Sequence, residues 1–334
     1  MKSFLPDGVC PRYMLIILFV LALQWATVIH ADTSPLVPPD FARGLDVSEA
    51  LVALVSFATT PGVQSANFTI SYPDDQPDID VEKNSLELEL DINLRARYFK
   101  LFTGIGLSHI YWNDTFEAQN TDGDTVIGEP DRDLYAARLS GGLAFQVTPH
   151  ILATPYVSFI LSELDSETTV KGNADLSTIA PALRPFIEDF NTKATTLAGT
   201  LELKYDRWFD RRRIEVFSRY TYAYTDSFDE SDDFIESSGD VSVLDFEGRW
   251  TAPTGLRIFG IPLRWKLIGG YTRLLDVEKE SLGFRYFFEY GGGLDLEMDV
   301  RPLGLFNVRN IGVNLVGLAG DDITGWSFGI SLSN

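Results

Sequence analysis

The side chains that could support catalysis or bind a metal are few, since the sequence has three histidines and one cysteine. Cys10 alone excludes a disulfide framework or a cysteine-based metal site. His109 follows Ser108, and neighbours in a β-strand point to opposite faces, so these two cannot form a nucleophile–base pair with each other. His150 lies in a short turn after Pro149, where a surface histidine is expected. We therefore predict no catalytic, cofactor-binding or metal site.

Clustered carboxylates are the other candidates, and they lie in predicted loops. Residues 226–240 contain seven acids and no base, and residues 74–80 and 120–124 are similarly acidic. Such clusters can bind Ca²⁺ or Mg²⁺ weakly, but no spacing matches an EF-hand loop, so we interpret them as solvated surface loops. The net charge of −21 and the lack of a prominent Lys/Arg-rich patch argue against a nucleic-acid partner.

The amino terminus predicts the compartment. Lys2 and Arg12 give the first twelve residues a positive charge, as in the start of a signal peptide. Residues 14–23 then form an apolar core of signal-peptide length, which is shorter than the ~20 residues needed to span a bilayer. Residues 28–31, Val-Ile-His-Ala, predict cleavage after Ala31, so residues 1–31 are assigned to a signal peptide. An uncleaved anchor is the alternative. No later segment reaches 18 consecutive apolar residues, which leaves a soluble exported protein or a β-barrel.

A period of two in the apolar residues predicts long strands throughout the rest of the chain. From Leu86 to Tyr98, apolar and polar side chains alternate over thirteen residues, which is enough to cross a bilayer. Pro262 interrupts the ninth strand and suggests an edge, a bulge or a later start. Similar runs give about twelve strands, at 64–72, 85–99, 101–112, 134–147, 151–163, 194–205, 213–225, 240–251, 256–273, 282–298, 305–317 and 325–334.

Connections between these strands alternate in length, as in outer-membrane barrels. Short turns are predicted near 99–100, 148–150, 206–212, 253–255 and 300–304. Long polar loops are predicted at 73–84, 113–133, 164–193, 226–239, 274–281 and 318–324. A soluble β-sandwich would have to protect many long strand edges, whereas a barrel has none. The predicted fold is all-β, a closed antiparallel transmembrane β-barrel in the cell outer membrane, at residues 63–334.

Residues 32–62 form a separate lead before the barrel. Residues 46–58 are apolar on most sides and predict a helix of about three turns, with Asp46 or Ser48 as its N-cap. Such a helix must be buried, for example as a plug inside the barrel, although an additional strand is the alternative. A second helical stretch at 175–190 lies in the longest loop and could form a partial plug.

The last strand carries the most specific signal. Ser327, Gly329 and Leu332 match the barrel-assembly pattern of outer-membrane proteins, although Asn334 replaces the usual terminal aromatic residue. With about twelve strands and a preceding helix, the chain resembles an autotransporter translocator domain, in particular the solitary autotransporter-like barrels of Gram-negative bacteria. The resemblance implies insertion by the barrel-assembly machinery. We also expect contact with outer-membrane lipid and lipopolysaccharide, a monomer, and no secreted passenger.

The predicted lumen could serve two purposes. Charges of mixed sign would line a hydrated pore, but they could equally form internal salt bridges that seal a barrel of intermediate size. We therefore predict a structural or narrow-pore role, with a small-solute porin as the alternative and a barrel enzyme of the outer-membrane phospholipase type as a weaker one. The predicted lumen-facing charges are Glu87, Glu89, Asp91, Arg95, Arg97, Arg138, Glu202, Arg219, Glu247, Arg249, Arg285, Glu289 and Asp295.

Overall fold

A computed structural model describes most of the chain after residue 51. The described residues are 52–55, 57–58, 65–71, 78–92, 99–113, 115–119, 125–172, 188–229, 237–277, 283–300 and 308–333. The predicted signal peptide, the predicted caps at 46 and 48, and Asn334 lie outside these ranges, as does most of the helical stretch predicted at 175–190.

The described residues form one helical segment and thirteen strands in a single sheet. Residues 52–55 and 57–58 are helical and are called α1, which confirms the helix prediction over the strand alternative. The strands are β1 Ser65–Ile70, β2 Ile79–Ile92, β3 Phe99–Asn113, β4 Phe116–Gln119, β5 Thr125–Thr148, β6 Ile151–Gly172, β7 Phe190–Phe209, β8 Arg212–Phe228, β9 Ser238–Ile258, β10 Ile261–Leu275, β11 Tyr286–Val300, β12 Val308–Gly320 and β13 Ile323–Ser333.

Antiparallel pairing between neighbours closes the sheet into a barrel. β1 pairs with both β2 and β13, and β3 pairs with both β2 and β5, so the ring of strands is complete. β3 and β4 both pair with β5, one after the other, and together make one wall strand. The result is a closed antiparallel barrel of 12 strands, as predicted.

Strand alternation places apolar side chains on the outer wall and polar ones inside. Leu86, Leu88, Ile105 and Leu107 are exposed on the outer face of β2 and β3, while Lys83 and Ser108 are buried on the inner face. A wall of exposed leucine and isoleucine would be costly in water, but it matches a hydrocarbon environment. No described helix is long and apolar enough to cross a membrane.

Three predicted connections are wrong. The turn predicted at 253–255 lies instead at Phe259–Gly260, because β9 continues to Ile258 and β10 starts at Ile261 with a register shift after Pro262. Phe99 and Lys100 are not a turn but begin β3, opposite Phe145 and Ala144 of β5.

The third error concerns the loop predicted at 318–324. It is a turn of two residues at 321–322, between β12 and β13. Several other loops are shorter than predicted because the strands continue beyond the alternating segment; β5 has 24 residues and β6 has 22. The polar ends of these strands keep their backbone pairing, although their side chains no longer follow the apolar pattern.

The β9–β10 turn can be tested by mutation, because its first residue, Phe259, has a positive φ that phenylalanine adopts unfavourably. Phe259 and Gly260 have φ values of 52° and 81°, the left-handed pair that a type I′ turn requires and that Asn-Gly adopts best. We expect Phe259→Asn to raise the unfolding free energy by roughly 1 kcal/mol. The measurement is the urea midpoint of the refolded barrel, compared with Phe259→Ala, which removes the same ring without favouring positive φ. Equal midpoints for the two variants would contradict the turn assignment.

Candidate functional site in the barrel lumen

The helix α1 packs inside the barrel, in the half where the long loops connect the strands. Val52 faces Gly239 at the start of β9, where an added Cβ would lie 3.5 Å from the Val52 Cγ2. The centre of the Phe57 ring lies 5.5 Å from the centre of the Phe68 ring on β1. The same ring lies 5.8 Å from Phe284. These residues belong to one buried apolar cluster that draws side chains from α1 and from most of the wall. An apolar core therefore fills this half of the lumen.

Lys83 holds the end of α1. Its side chain is fully buried, and its Nζ donates a hydrogen bond of 2.8 Å to the Phe57 carbonyl. The ammonium also lies 4.7 Å from the centre of the Phe57 ring. The last carbonyls of a helix have no partner within the helix, so the Lys83 ammonium satisfies one of them. It also interacts favourably with the negative end of the helix dipole.

The other half of the lumen is filled by ion pairs. At its centre, the Arg219 guanidinium donates to Glu202 at 2.6 Å and to Asp245 at 2.8 Å, joining β7, β8 and β9. Thr272 of β10 donates to the second oxygen of Asp245 at 3.0 Å. All four side chains are largely enclosed, so each charge depends on its partners.

Two further groups link more distant strands. Arg138 of β5 lies 3.5 Å from Glu87 and 3.1 Å from Glu89, both on β2. Lys266 of β10 donates to Asp295 of β11 at 2.7 Å and to Ser331 of β13 at 2.8 Å. The Arg138 pairs and the Lys266–Ser331 bond reach past the adjacent strand, so they brace the inside of the wall.

Among these charged side chains remains a cavity of about 200 Å³. Phe217 projects into it with the cationic groups of Lys204, Arg219 and Arg249 at 4.9, 5.2 and 4.8 Å from its ring centre. The lining has more acids than bases, which gives it a negative potential. The charged lining residues are Glu87, Glu89, Asp91, Lys204, Glu202, Glu215, Arg219, Glu247, Arg249 and Glu289.

Most of the predicted lumen charges are therefore inside the barrel. Arg95 and Arg97 lie outside the described residues, and Arg285 precedes β11 at the loop end, 3.9 Å from Asp321 and half-exposed. Sequence reasoning missed Lys83 and Lys266. Strict alternation from Leu86 back through Lys83 would have placed Lys83 with the inner residues, so the signal was present.

The structure places the two neighbouring residues considered for catalysis, Ser108 and His109, on opposite faces of β3. Ser108 is buried on the inner face, whereas His109 points outward, where it hydrogen-bonds Asp133 at 2.6 Å and stacks on Tyr135 at 4.7 Å. This separation confirms that Ser108 and His109 cannot act together. His150 occupies a turn, as predicted. Among the described residues, no group of three or more His, Cys, Asp or Glu side chains could hold a metal ion.

The carboxyl-terminal motif lies in β13. Ser327 and Gly329 line the cavity from the inner face, and Leu332 lies opposite Ile311 of β12. The sequence was interpreted as lacking the Gly-x-Ser-x-Gly spacing of a hydrolase nucleophile elbow, which is wrong, because Gly325-Trp-Ser327-Phe-Gly329 has this spacing. An elbow requires a sharp strand-to-helix turn, and here the serine is in the middle of a regular strand, so the match has no such meaning.

Comparisons with known proteins agree with this architecture. No curated protein matches the chain. The translocator domain of the autotransporter NalP from Neisseria meningitidis superposes with a TM-score of 0.52 at 11% identity, covering 84% of this chain and 91% of that one. The β domain of the Bordetella autotransporter BrkA gives a TM-score of 0.48 at 14% identity, covering 80% and 94%. The family model described as solitary outer membrane autotransporter β-barrel domain matches residues 85–332, so the chain belongs to this family.

Proposed function

We propose that this outer-membrane barrel is a sealed structural unit that does not conduct in its resting state. Its translocator-like fold and its place in the outer membrane follow from the family and the closed barrel. The sealing is the part that we infer from the lumen. The porin alternative would need a continuous aqueous path, and the family comparison does not favour it.

One observation carries the proposal: two different kinds of packing occupy the two halves of the lumen. The buried apolar residues of α1 fill the loop-end half, with Phe57 only 2% exposed. The ion pairs around Arg219 narrow the other half to a charge-lined cavity of about 200 Å³, and the two carboxylate partners of Arg219 lie within 2.8 Å of it. A single seal could be a gate, but an ion would have to cross both an apolar core and a paired charge network.

Conductance of the refolded full-length chain in a planar bilayer tests the proposal. We expect no stepwise currents from the intact protein and small steps after deletion of residues 46–58, because this deletion removes the apolar filling and leaves only the narrow charge-lined cavity of the other half. Deletion of residues 33–45, which has the same length, is the matched control and is expected to remain silent.

Two results would contradict the sealed state. Steady currents from the intact chain would favour the porin alternative. Silence after deletion of 46–58, in a protein that still shows heat-modifiable mobility on a gel, would mean that α1 is not the seal.

A further inference from the structure

The turn end of β7 and β8 carries a group of arginines on the outer wall. Arg207 and Phe209 are the last outward residues of β7, and Arg212 is the first of β8. Arg211 occupies the turn between them. We call Arg207, Phe209, Arg211 and Arg212 the basic rim. Short turns of outer-membrane barrels face the periplasm, which places this group at the inner leaflet.

The strand register shows the depth of the basic rim. Tyr205 lies opposite Val216, Arg207 opposite Ile214, and Phe209 opposite Arg212. The Tyr205–Val216 pair has no charged residue, whereas the two pairs nearer the turn each contain one arginine and one apolar residue. Val216 and Ile214 are exposed on the lipid-facing wall, so the arginines begin where the apolar surface ends. At this depth a bilayer places its phosphate groups.

The guanidinium groups of the basic rim have no carboxylate partner in the part of the chain that the structure describes. Among the described residues, no carboxylate forms an ion pair with Arg207, Arg211 or Arg212. The nearby Asp206 is already bound by Arg213, which donates to both of its oxygens at 2.9 and 2.6 Å. Asp210 lies in the same turn, so the three rim arginines still leave a local positive excess in a chain with a net charge of −21.

The surrounding contacts hold these groups in place. The Arg207 guanidinium lies 4.6 Å from the centre of the Phe209 ring, so its stem and head are fixed along the wall. Arg264 of β10 donates to the backbone carbonyl of Arg211 and fastens the turn to the inner ion pairs. A guanidinium packed against a ring still has N–H donors along its edge, and these can form two parallel hydrogen bonds with a phosphate.

We propose that the basic rim binds the phosphate groups of anionic phospholipids in the inner leaflet of the outer membrane. Lipid is the occupant that the structure favours, because Arg207 and Arg212 are continuous with the apolar wall and point outward with it. Their apolar neighbours contact acyl chains while the guanidinium groups reach the headgroup. The inference depends on the membrane location and not on whether the lumen is sealed.

Lipid binding to the full-length protein in neutral detergent tests this proposal. Dioleoylphosphatidylglycerol is titrated, with dioleoylphosphatidylcholine as the zwitterionic comparison, and retained lipids are counted by native mass spectrometry. We expect preferential retention of phosphatidylglycerol. The triple variant Arg207→Gln/Arg211→Gln/Arg212→Gln is expected to bind it roughly tenfold to a hundredfold more weakly, because each interfacial arginine contributes separately.

The control variant Arg273→Gln/Arg285→Gln removes two arginines at the loop end and is expected to retain normal phosphatidylglycerol binding. Replacement of the three rim arginines by lysine keeps the charge and is expected to restore part of the binding. The wild-type protein is also tested with inorganic phosphate at equal concentration, which is expected not to displace the lipid. Heat-modifiable mobility shows that each variant remains folded.

Three results would overturn the proposal. The wild-type protein could retain both lipids equally, or the folded triple glutamine variant could bind phosphatidylglycerol normally. Complete displacement by inorganic phosphate would show a simple anion site and no lipid site.

Discussion

Replacing Arg219 with Met is expected to lower the free energy of unfolding of the barrel by about 3–5 kcal/mol. The substitution keeps much of the side-chain volume but removes the cation that, within the described segments, contacts both Glu202 and Asp245. Two enclosed carboxylates would then face each other across β8 without a counterion. Removing one partner of a buried network costs far more than removing the whole network, because the charges left behind have lost their water.

Urea unfolding of the barrel in lipid vesicles, followed by tryptophan fluorescence, measures this effect. Combining Arg219→Met with Glu202→Gln and Asp245→Asn is expected to recover a large part of the loss, since no uncompensated charge remains. Lys171→Met is the surface control, because the Lys171–Glu129 pair is exposed at both ends and contributes little. An Arg219→Met midpoint close to that of Lys171→Met would show that the lumen is more hydrated than the ion pairs indicate.

The second large effect is expected from Phe57→Ala. The Phe57 ring is buried among Phe68, Phe284 and Phe287, with centres at 5.5, 5.8 and 6.0 Å. Its removal leaves a cavity at the contact between α1 and the wall, and buried phenylalanine-to-alanine changes cost about 3–5 kcal/mol. Because the ring joins α1 to β1 and β11, we expect the loss to appear first as undocking of the helix.

Two measurements separate undocking from general destabilisation. Urea unfolding reports the barrel, and planar-bilayer recordings report the lumen. Phe57→Ala is expected to give brief current steps at denaturant-free conditions where the wild type is silent, while the barrel remains folded. Phe259→Ala removes the same ring from a position that is 99% exposed and is expected to change neither. A silent Phe57→Ala barrel with an unchanged midpoint would show that α1 contributes no packing energy.

The strands were predictable because every strand of a membrane barrel has lipid on one face and a polar interior on the other, which gives a period of two. Lipid outside and polar packing inside act on every successive residue, so runs such as Leu86 to Ile92 show their two faces directly. The misplaced turn shows where this signal ends. Beyond Trp250 and Trp265, β9 and β10 continue as a hairpin, and Pro253 and Gly255 were mistaken for its end.

The site was less predictable, because charge partners are chosen by register and not by sequence distance. Alternation correctly placed Arg219 and Glu202 on the inner face, but their contact depends on β7 and β8 lying opposite each other at these positions. Arg138 reaches β2 across an intervening strand, which no local pattern encodes. The basic rim was missed for another reason: its three arginines lie within six residues, but a turn was predicted over 206–212, and alternation assigns no face to residues in a turn.

The sequence by itself determined the class of the protein. An export signal is predicted, long alternating strands imply a closed barrel, and a helix that is apolar on most sides must be buried. Only the tertiary structure decided what the lumen contains, because closing the ring brings Lys83 to the Phe57 carbonyl and Arg219 to two carboxylates. Alternation assigns each residue to a face, which is a local property, whereas filling a lumen depends on contacts between strands that are far apart in the chain.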